Sequence, residues 1–472
     1  MRVAILTSEA VPFAKAGGLA DVSGALPKAL TQLDVDAKLI LPLYEQIDRA
    51  LLNGGSVENV RVEWHGQVHN VRFWFSDAAG APAYLLETPE FFGRPAIYGY
   101  TDDHIRFAFF CRAALALLKY LDWPPDIVHG NDWHCGFAVA ELRARRRHDD
   151  FFQKTKALFS IHNLSYQGRF DSGDLWWLGF GEPPERDDFR LDRHASALKA
   201  GLVAADALST VSPTYAREIQ TPRQGEGLDW LLRARRDRLA GITNGVDYDI
   251  WNPETDPDVA ANYSAEDLSG KRECKLDLLR RFNLPQEPDR PILANISRLV
   301  PQKGYDLFEQ ISGWILETGS FFIAVGKGEY EDFLQRWHDM APRQVGIYKG
   351  QAPDALVHQV EAGADIFLMP SLFEPCGLNQ MYSMRYGTVP IVRATGGLDD
   401  TVQQFNPEDG TGTGFKFGPY DAGALLEKIR EALYFYARPE QWQKIQRNGM
   451  LVDNSWPAAA QKYLELYEEI RL

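Results

Sequence analysis

The sequence lacks several features that would assign it to a specialised class of protein. Its 472 residues include 4 cysteines, and none forms a C-x-x-C pair or a cysteine–histidine cluster with zinc-ligand spacing. We therefore expect reduced thiols and no disulfide framework. No apolar run is long enough to cross a bilayer, because the most apolar helical stretch extends only from Ala113 to Leu118. No G-x-G-x-x-G follows a predicted strand, which disfavours a dinucleotide-dependent dehydrogenase.

Positive charge is also scarce relative to negative charge. Lysine and arginine total 50, aspartate and glutamate total 65, and the formal net charge at pH 7 is −15. So acidic a chain is a poor candidate for binding nucleic acid or an anionic membrane through its overall field. The charge does not oppose a neutral partner such as a sugar polymer. The N-terminal stretch MRVAILTSEA predicts a first β-strand rather than a signal peptide, so we expect a cytoplasmic location.

Short apolar runs alternate with helical segments in the first half of the chain, a pattern typical of parallel α/β sheets. Strands are predicted at Val3–Thr7, Ala37–Leu41, Asp126–His129, Ala157–Ile161 and Ala207–Val211, with helices at Leu19–Leu33, Arg106–Leu121 and Phe137–Arg147. Residues 252–275 are polar and poor in core residues, and residues 284–291 are rich in proline and charge. We expect an irregular connection over this region.

The alternation restarts at residue 292 and gives the second half a complete doubly wound pattern of its own. The predicted fold class is therefore α/β, with two doubly wound Rossmann-like domains and an active-site cleft between them. We assign residues 1–240 to the N-terminal domain and residues 241–454 to the C-terminal domain. An amphipathic helix within residues 455–472 is expected to dock back onto the first domain.

Ligands of such sheets bind at the carboxyl ends of the strands, so residues that follow strands are the candidates for chemistry. Lys15, Gly17 and Gly18 follow the first strand and open a helix, with Asp21 in its first turn. Paired glycines allow close approach of the backbone, and a helix N-terminus attracts anions. A tight turn with a solvated lysine and a dipole-complementing aspartate is the alternative interpretation.

Two further segments of the first half follow strands. The segment HGNDWH contains Asn131, Asp132, Trp133 and His134, and the next strand is followed by His162 and Asn163. An aspartate there can accept hydrogen bonds from sugar hydroxyls, and a tryptophan offers an apolar face for stacking. A core tryptophan beside a helix-capping aspartate, and a histidine with a structural hydrogen bond, are the alternatives.

In the second half, Arg298 and Lys303 follow a strand, on a loop shaped by Pro301 and Gly304. Two such cations can converge on one diphosphate, although solvated loop charges would give the same pattern. Glu374 follows a later strand and can bind sugar hydroxyls or cap a helix. A further loop can offer backbone N–H groups to a phosphate and contains Thr395, Gly396 and Gly397.

Seven segments together give the chain a family resemblance: KAGGLADVSGALP, HGNDWH, SIHNLSYQG, TVSPTYAREI, ITNGVD, ISRLVPQKG and FEPCGLNQMYSMRYGTVPIVRATGGLDDTV. In this order and over nearly the whole chain, they resemble bacterial glycogen synthases and plant starch synthases. The resemblance implies a retaining glucosyltransferase with the two-domain GT-B fold, which moves glucose from ADP-glucose to the non-reducing end of an α-1,4-glucan. The family motif usually has threonine where this chain has Ala16, and some relatives have an aromatic residue at Gln351.

The same resemblance implies roles for individual residues. The C-terminal domain would bind the nucleotide sugar and the N-terminal domain the acceptor. Catalytic roles fall to Glu374, Lys303, Arg298, His162 and Asp132. Donor-binding roles fall to Lys15, Gly17, Gly18, Asp21, Cys376, Gly377, Thr395, Gly396 and Gly397. The acceptor would be lined by Asn131, Trp133, His134 and Asn163.

We expect no cofactor and no essential metal, because ADP-glucose is a substrate and the two Asp-x-Asp pairs, at residues 34–36 and 256–258, lie in a turn and in the polar connection. The expected partners are ADP-glucose and an α-1,4-glucan, such as glycogen or a maltooligosaccharide, with no nucleic acid and no membrane. Three alternatives remain: a GT-B enzyme with another donor or acceptor, a glucan phosphorylase with a pyridoxal phosphate lysine, and a catalytically silent glucan-binding relative.

Overall fold

A computed structural model of the protein describes residues 1–471, which form two compact units. The first unit contains residues 1–245 together with the C-terminal segment from Trp456, and the second unit contains Val246–Ser455. The sequence predicts this division between residues 240 and 241 and the returning segment at 455–472; Leu472 lies outside the described residues.

The strands of the first unit are β1 (Arg2–Leu6), β2 (Asp36–Pro42), β3 (Ser56–Trp64), β4 (Gln67–Ser76), β5 (Ala83–Glu87), β6 (Ile127–Asn131), β7 (Lys156–Ile161), β8 (Arg169–Asp171), β9 (Arg190–Leu191), β10 (His194–Ser196), β11 (Ala207–Thr210) and β12 (Leu239–Gly241). Its helices up to residue 245 are α1 (Gly18–Thr31), α2 (Pro89–Phe92), α3 (Asp103–Tyr120), α4 (Asp132–Arg145), α5 (Asp174–Leu178), α6 (Glu185–Phe189), α7 (Ala197–Ala204), α8 (Pro213–Glu218) and α9 (Asp229–Ala234).

The main sheet of the first unit has the strand order β12-β11-β7-β6-β1-β2-β5-β4-β3 over the described residues. Strand β1 lies inside this sheet. Its residues Val3–Leu6 are all fully buried, as expected of a parallel strand that is covered on both faces. It pairs in parallel with β2 on one side and β6 on the other. The chain therefore leaves β1 and β6 in opposite directions, and their carboxyl ends form the topological switch point of the sheet.

The second unit has the strands β13 (Ile292–Ile296), β14 (Phe321–Gly326), β15 (Val345–Lys349), β16 (Ile366–Met369), β17 (Val389–Arg393) and β18 (Phe415–Phe417). Its helices are α10 (Ser269–Arg281), α11 (Tyr305–Glu317), α12 (Glu331–Met340), α13 (Asp354–Gly363), α14 (Asn379–Arg385), α15 (Gly396–Thr401), α16 (Ala422–Tyr436) and α17 (Pro439–Met450). The sheet order is β15-β14-β13-β16-β17-β18, and every pair is parallel. This is the order of a doubly wound dinucleotide-binding sheet, with its switch point between β13 and β16.

The last helix, α18 (Trp456–Arg471), belongs to the first unit, where it packs against α1. Its Tyr467 hydroxyl lies 2.8 Å from Nδ1 of His129 in strand β6, and both side chains are fully buried. The other ring nitrogen of His129 lies 2.6 Å from the Ser160 hydroxyl. His129 therefore ties the returning helix to the middle of the sheet and has no ring atom left for a ligand.

Two sequence predictions about helices were wrong. The helix predicted at Phe137–Arg147 begins at Asp132, so the HGNDWH segment is divided between the end of β6 and the start of α4. The connection predicted to be irregular over residues 252–275 contains the first part of helix α10. Two lysines lie on the buried face of that helix, so it has no apolar stripe to recognise.

Those lysines are compensated by polar partners. The ammonium of Lys271 donates to Ala362 O, Tyr386 O and Thr388 Oγ1. Burial lowers its pKa to about 8. Lys275 Nζ lies 2.6 Å from Asp365 Oδ2, and the two side chains are 5% and 10% exposed. A charge pair of this kind helps to attach α10 to the sheet.

Among residues 1–471, no helix combines the length and the apolarity needed to span a membrane. The four cysteines are all buried, and no disulfide joins them in this part of the chain.

Asp365→Asn leaves the buried Lys275 ammonium without its charged partner. Because an uncompensated buried charge is costly, we expect the free energy of unfolding of the second unit to fall by about 3–5 kcal/mol, measured by urea unfolding.

The matched control is Asp289→Asn. Asp289 pairs with Arg272 of the same helix at 2.9 Å but is 88% exposed, so its loss should leave the unfolding free energy nearly unchanged. Equal effects of the two substitutions would contradict the role given to the buried pair.

Candidate active site

In each unit, candidate residues follow the two strands that flank the switch point. In the first unit, the segment Lys15–Gly18 follows β1 and the segment Asp132–His134 follows β6. In the second unit, Lys303 follows β13 and Glu374 follows β16. Because neighbouring parallel strands end at the same edge of a sheet, the topology brings each of these pairs of loops together.

The loop from Lys15 to Gly18 is exposed and is held by a residue that the sequence analysis missed. Glu9 Oε2 accepts hydrogen bonds from the backbone N–H groups of Ala16 and Gly17, the latter at 3.0 Å. Glu9 is only 3% exposed, and burial raises the pKa of its carboxyl from 4.5 to about 7. Its position just after a central strand could have indicated a site residue, but no sequence pattern shows that a carboxylate is buried.

Lys15 and Asp21 form an ion pair across the start of helix α1. Lys15 Nζ lies 2.7 Å from Asp21 Oδ1, and the two side chains are 57% and 27% exposed. Gly17 is the N-cap residue of this helix, and Gly18 is its first residue. The lysine, the two glycines and the aspartate are thus brought together as predicted from the sequence, on the surface of the unit.

Asp132 is the first residue of α4 and has a φ of 53°, a left-handed conformation that is rare outside glycine. Its Oδ1 accepts a hydrogen bond from the backbone N–H of His162 at 2.8 Å. Burial raises the pKa of Asp132 to about 7 despite the hydrogen bonds from the His162 and Asn163 backbones. Asp132 therefore links the loops that follow β6 and β7.

His162 is half-buried, and desolvation lowers its pKa to about 4, which favours the neutral imidazole. Its Nε2 lies 2.9 Å from Asn131 Oδ1, while Asn131 Nδ2 donates to Leu6 O at 3.0 Å. The amide oxygen of Asn131 can only accept, so Nε2 of His162 bears the proton. The other nitrogen, Nδ1, is then a hydrogen-bond acceptor.

The remaining predicted acceptor residues are packed into the first unit to different extents. His134 is 5% exposed, its Nδ1 lies 3.1 Å from Ser8 Oγ, and its ring stacks on Tyr98 with centroids 4.7 Å apart. Trp133 covers the backbone of Gly168, where an added Cβ would lie 2.2 Å from the indole. The Asn163 side chain accepts from the N–H of Ser165 at 3.0 Å.

In the second unit, Lys303 and Glu374 form an ion pair between the loops that follow β13 and β16. Lys303 Nζ lies 2.5 Å from Glu374 Oε2, and the side chains are 18% and 9% exposed. Gly304, with a φ of 80°, lets the first loop approach the second, because an added Cβ would lie 2.4 Å from Pro370 O. The pair is thus formed by backbone packing at the switch point.

Arg298 follows the same strand and is exposed. Its Nη2 donates to Gln302 Oε1 at 3.1 Å, so its guanidinium contacts a neutral amide. Gln302 in turn donates through Nε2 to Phe373 O at 3.1 Å. Arg298 and Lys303 therefore lie on one loop that is fastened to the Glu374 loop.

Residues that were not predicted as site residues hold the Glu374 loop in place. Ser371 Oγ donates to Glu374 Oε2 at 3.1 Å, and Arg393 Nε donates to Ser371 O at 2.7 Å. Gly377 has a φ of 71°, which favours glycine at that turn. Cys376 is 5% exposed, and its carbonyl accepts from Gln380 Nε2 at 3.2 Å.

The segment from Thr395 to Gly397 starts helix α15, and its glycines pack against the Glu374 loop. An added Cβ at Gly396 would lie 1.9 Å from Glu374 O, so this contact requires glycine. The Gly397 N–H donates to Glu374 O at 3.2 Å and to Pro375 O at 3.1 Å. The structure thus joins these residues to the Glu374 loop and shows one of the predicted phosphate donors bonded within the protein.

One group of metal-ligand side chains lies close together within the part of the chain described here: Asp256, Asp258 and His358. The Asp256 carboxylate accepts from the Tyr386 hydroxyl and lies 2.6 Å from His358 Nδ1. Trp251 stacks on the His358 ring with centroids 4.1 Å apart. These contacts are those of a buried polar network, and none of the candidate site residues takes part in it.

Each of the two units matches a known family model. The family model described as the starch synthase catalytic domain matches residues 2–234, and the model described as glycosyl transferases group 1 matches residues 279–449.

Relatives match over the whole length of the chain. A glycogen synthase of Geobacillus thermodenitrificans is 43% identical over 478 aligned residues, which cover 100% of this chain and 98% of the relative. A glycogen synthase of Bacillus cereus is 40% identical over 478 aligned residues, with 100% of both chains covered.

Solved structures agree. The catalytic domain of starch synthase IV from Arabidopsis thaliana, bound to ADP and acarbose, has a TM-score of 0.90 and 33% identity and covers 100% of this chain and 99% of its own. Sucrose-phosphate synthase from Thermosynechococcus elongatus, with a TM-score of 0.63, 19% identity and coverage of 99% and 98%, shares the fold alone. This chain therefore belongs to the glycogen synthase and starch synthase family of GT-B glycosyltransferases.

Proposed function

We propose that this chain transfers glucose from ADP-glucose to the non-reducing end of an α-1,4-glucan, with retention of the anomeric configuration. The main support is the Lys303–Glu374 pair at the switch point of the second sheet, in a chain 43% identical to a glycogen synthase. The related starch synthase structure is bound to ADP and to acarbose, an oligosaccharide analogue. A nucleotide donor and a glucan acceptor fit these two ligands.

The cations of the second unit are proposed to bind the donor diphosphate. Breaking the glycosidic bond of a sugar nucleotide builds negative charge on the leaving diphosphate, and fixed cations stabilise that charge without reorganisation. Among the described residues, Arg298 offers a guanidinium whose hydrogen bond goes to the neutral amide of Gln302, and Lys303 offers an ammonium that Glu374 already orients. Lys15 of the first unit adds an exposed ammonium. With these charges we propose that the reaction needs no metal ion and no cofactor.

Glu374 is proposed to bind hydroxyls of the transferred glucose. Its Oε2 is engaged by Lys303 and Ser371, so the carboxylate is held in place by a cation and a hydroxyl. The carboxylate of Asp132 is occupied by backbone N–H groups after β7. Because Glu374 is given a binding role and Asp132 an orienting role, we propose same-face attack assisted by the leaving phosphate rather than double displacement.

The first unit is proposed to bind sugar through neutral acceptors. His162 is uncharged above about pH 5, since its pKa is lowered to about 4, and its Nδ1 accepts a hydrogen bond from a sugar hydroxyl. Asp132 orients the His162 backbone by its hydrogen bond to the N–H of that residue. An imidazole held in one tautomer is a selective partner for a hydroxyl donor.

Lys303→Ala removes an ammonium that stabilises the leaving diphosphate. We expect kcat for ADP release from ADP-glucose, with a maltooligosaccharide acceptor and EDTA present, to fall by about 100-fold or more. Glu374→Ala should cause a comparable loss, because it removes the partner that orients Lys303.

The matched control is Lys428→Ala, which breaks a Lys–Glu pair of 2.6 Å on helix α16 of the same unit and should leave kcat unchanged. A preference for UDP-glucose would overturn the donor assignment and leave the mechanism in place. Full activity of Lys303→Ala, or loss of activity in EDTA, would contradict the proposed diphosphate chemistry.

Asn131→Asp places a carboxylate against Nε2 of His162. Because a nearby negative charge favours the imidazolium, we expect the pKa of His162 to rise from about 4 toward its ordinary value of 6.5. The imidazolium donates through Nδ1 instead of accepting, so kcat/KM for the glucan should fall. NMR titration of the histidine ring signals measures the pKa.

Asn163→Asp serves as the control, since its side chain contacts the N–H of Ser165 and no atom of the imidazole is its hydrogen-bond partner among the described residues. It should shift the titration of His162 less than Asn131→Asp does, because the new charge is not hydrogen-bonded to the ring. An unaltered pKa of His162 in Asn131→Asp would show that the tautomer is not set by Asn131.

A further inference from the structure

The two carboxylate oxygens of Glu9 have different surroundings. Oε2 accepts both N–H groups of the Lys15 loop, from Ala16 and Gly17. Oε1 accepts no hydrogen bond from any residue within 1–471 and lies beside Gly17, 3.6 Å from the position of an added Cβ. An ionised carboxylate has about four acceptor positions, and the loop uses those of one oxygen.

Glu9 lies among residues of both candidate loops of the first unit. Lys15 lowers its pKa and Asp21 raises it, which places both charges near its carboxyl. Its own charge raises the pKa values of Asp132, Tyr98 and Tyr44, so these groups are also near it. Glu9 is therefore close both to the loop after β1 and to the start of α4, at the switch point of the first sheet.

A carboxylate at this position opposes stability. Burial raises its pKa from 4.5 to about 7, so the folded chain binds the proton more tightly than the unfolded chain does. The stability that this group contributes is present below pH 4.5 and is lost as the pH rises through about 7. A glutamine of the same shape would avoid that cost, so the loop geometry alone does not require an ionisable group here.

We propose that Glu9 is a sugar-binding residue of the first unit: Oε2 fixes the Lys15–Gly18 loop, and Oε1 accepts a hydrogen bond from a hydroxyl of the bound glucan or donor sugar. This inference rests on the proposed function, because it assigns a sugar contact to that same site. It explains why a buried side chain keeps one oxygen without a protein partner. The shared chemistry of the ligand is a neutral polyhydroxyl, and acceptor and donor glucose are separated by the experiment.

Glu9→Gln separates the binding role from the structural one. A glutamine whose oxygen accepts from the loop presents its NH2 group on the other side, so it can no longer accept a hydrogen bond from the sugar hydroxyl there. We expect kcat/KM to fall by about tenfold or more, since a hydrogen bond to a charged acceptor is lost. The melting temperature at pH 8 should stay equal or rise, because a buried charge is removed.

The control is Glu361→Gln in the second unit. Glu361 is fully buried, accepts from Ser383 Oγ at 2.7 Å, and has a pKa that burial raises to about 8. Its substitution removes the same kind of buried carboxyl without touching a candidate site residue, so kcat/KM should be unchanged.

The experiment measures kcat/KM with ADP-glucose varied and with maltoheptaose varied, together with the melting temperature, for the full chain and both variants. Loss for one varied substrate identifies whether donor or acceptor sugar is bound, and loss without a lower melting temperature supports the inference. If the unsubstituted chain transfers no glucose, that result overturns the proposed function and not the sugar contact. Glu9→Gln within twofold of an active parent, or a loss matched by a melting temperature below that of the control, overturns the sugar contact.

Discussion

The reversal of strand order beside the first strand of each main sheet determines where this molecule can bind ligands. In the first unit the chain leaves β1 and β6 in opposite directions, and in the second unit it leaves β13 and β16 in opposite directions. Loops that diverge from adjacent strands leave a crevice lined by backbone and by the first side chains after each strand. Glu9 and Asp132 in one unit, and Lys303 and Glu374 in the other, occupy equivalent positions.

Two lysine–carboxylate pairs of the second unit have different roles because they lie in different places. Lys275–Asp365 at 2.6 Å and Lys303–Glu374 at 2.5 Å are both short lysine–carboxylate pairs. The first is enclosed between a helix and the sheet, where it compensates buried charge and joins structural elements. The second pair joins the two loops at the switch point, and the side chain of its lysine is 18% exposed. Only the second pair can present its ammonium to an external anion while its carboxylate holds that ammonium in place.

The sequence was sufficient to predict the central elements and the loops that follow them. Fully buried runs such as Val3–Leu6 alternate with helices, and this pattern predicts a parallel sheet without further information. Helix α10 was missed because Lys271 and Lys275 occupy its buried face, and hairpin β3–β4 because its strands are half exposed. Glu9 was missed because its role depends on two backbone N–H groups that only the fold brings to it.

A crystal structure of the full chain with ADP would test the central claim, that the switch-point loops bind the donor, most directly. The account predicts that diphosphate oxygens lie within hydrogen-bond distance of Lys303 Nζ and the Arg298 guanidinium, at the carboxyl ends of β13 and β16. A diphosphate bound elsewhere on the chain, with Lys303 still paired to Glu374 and Arg298 to Gln302, would contradict it.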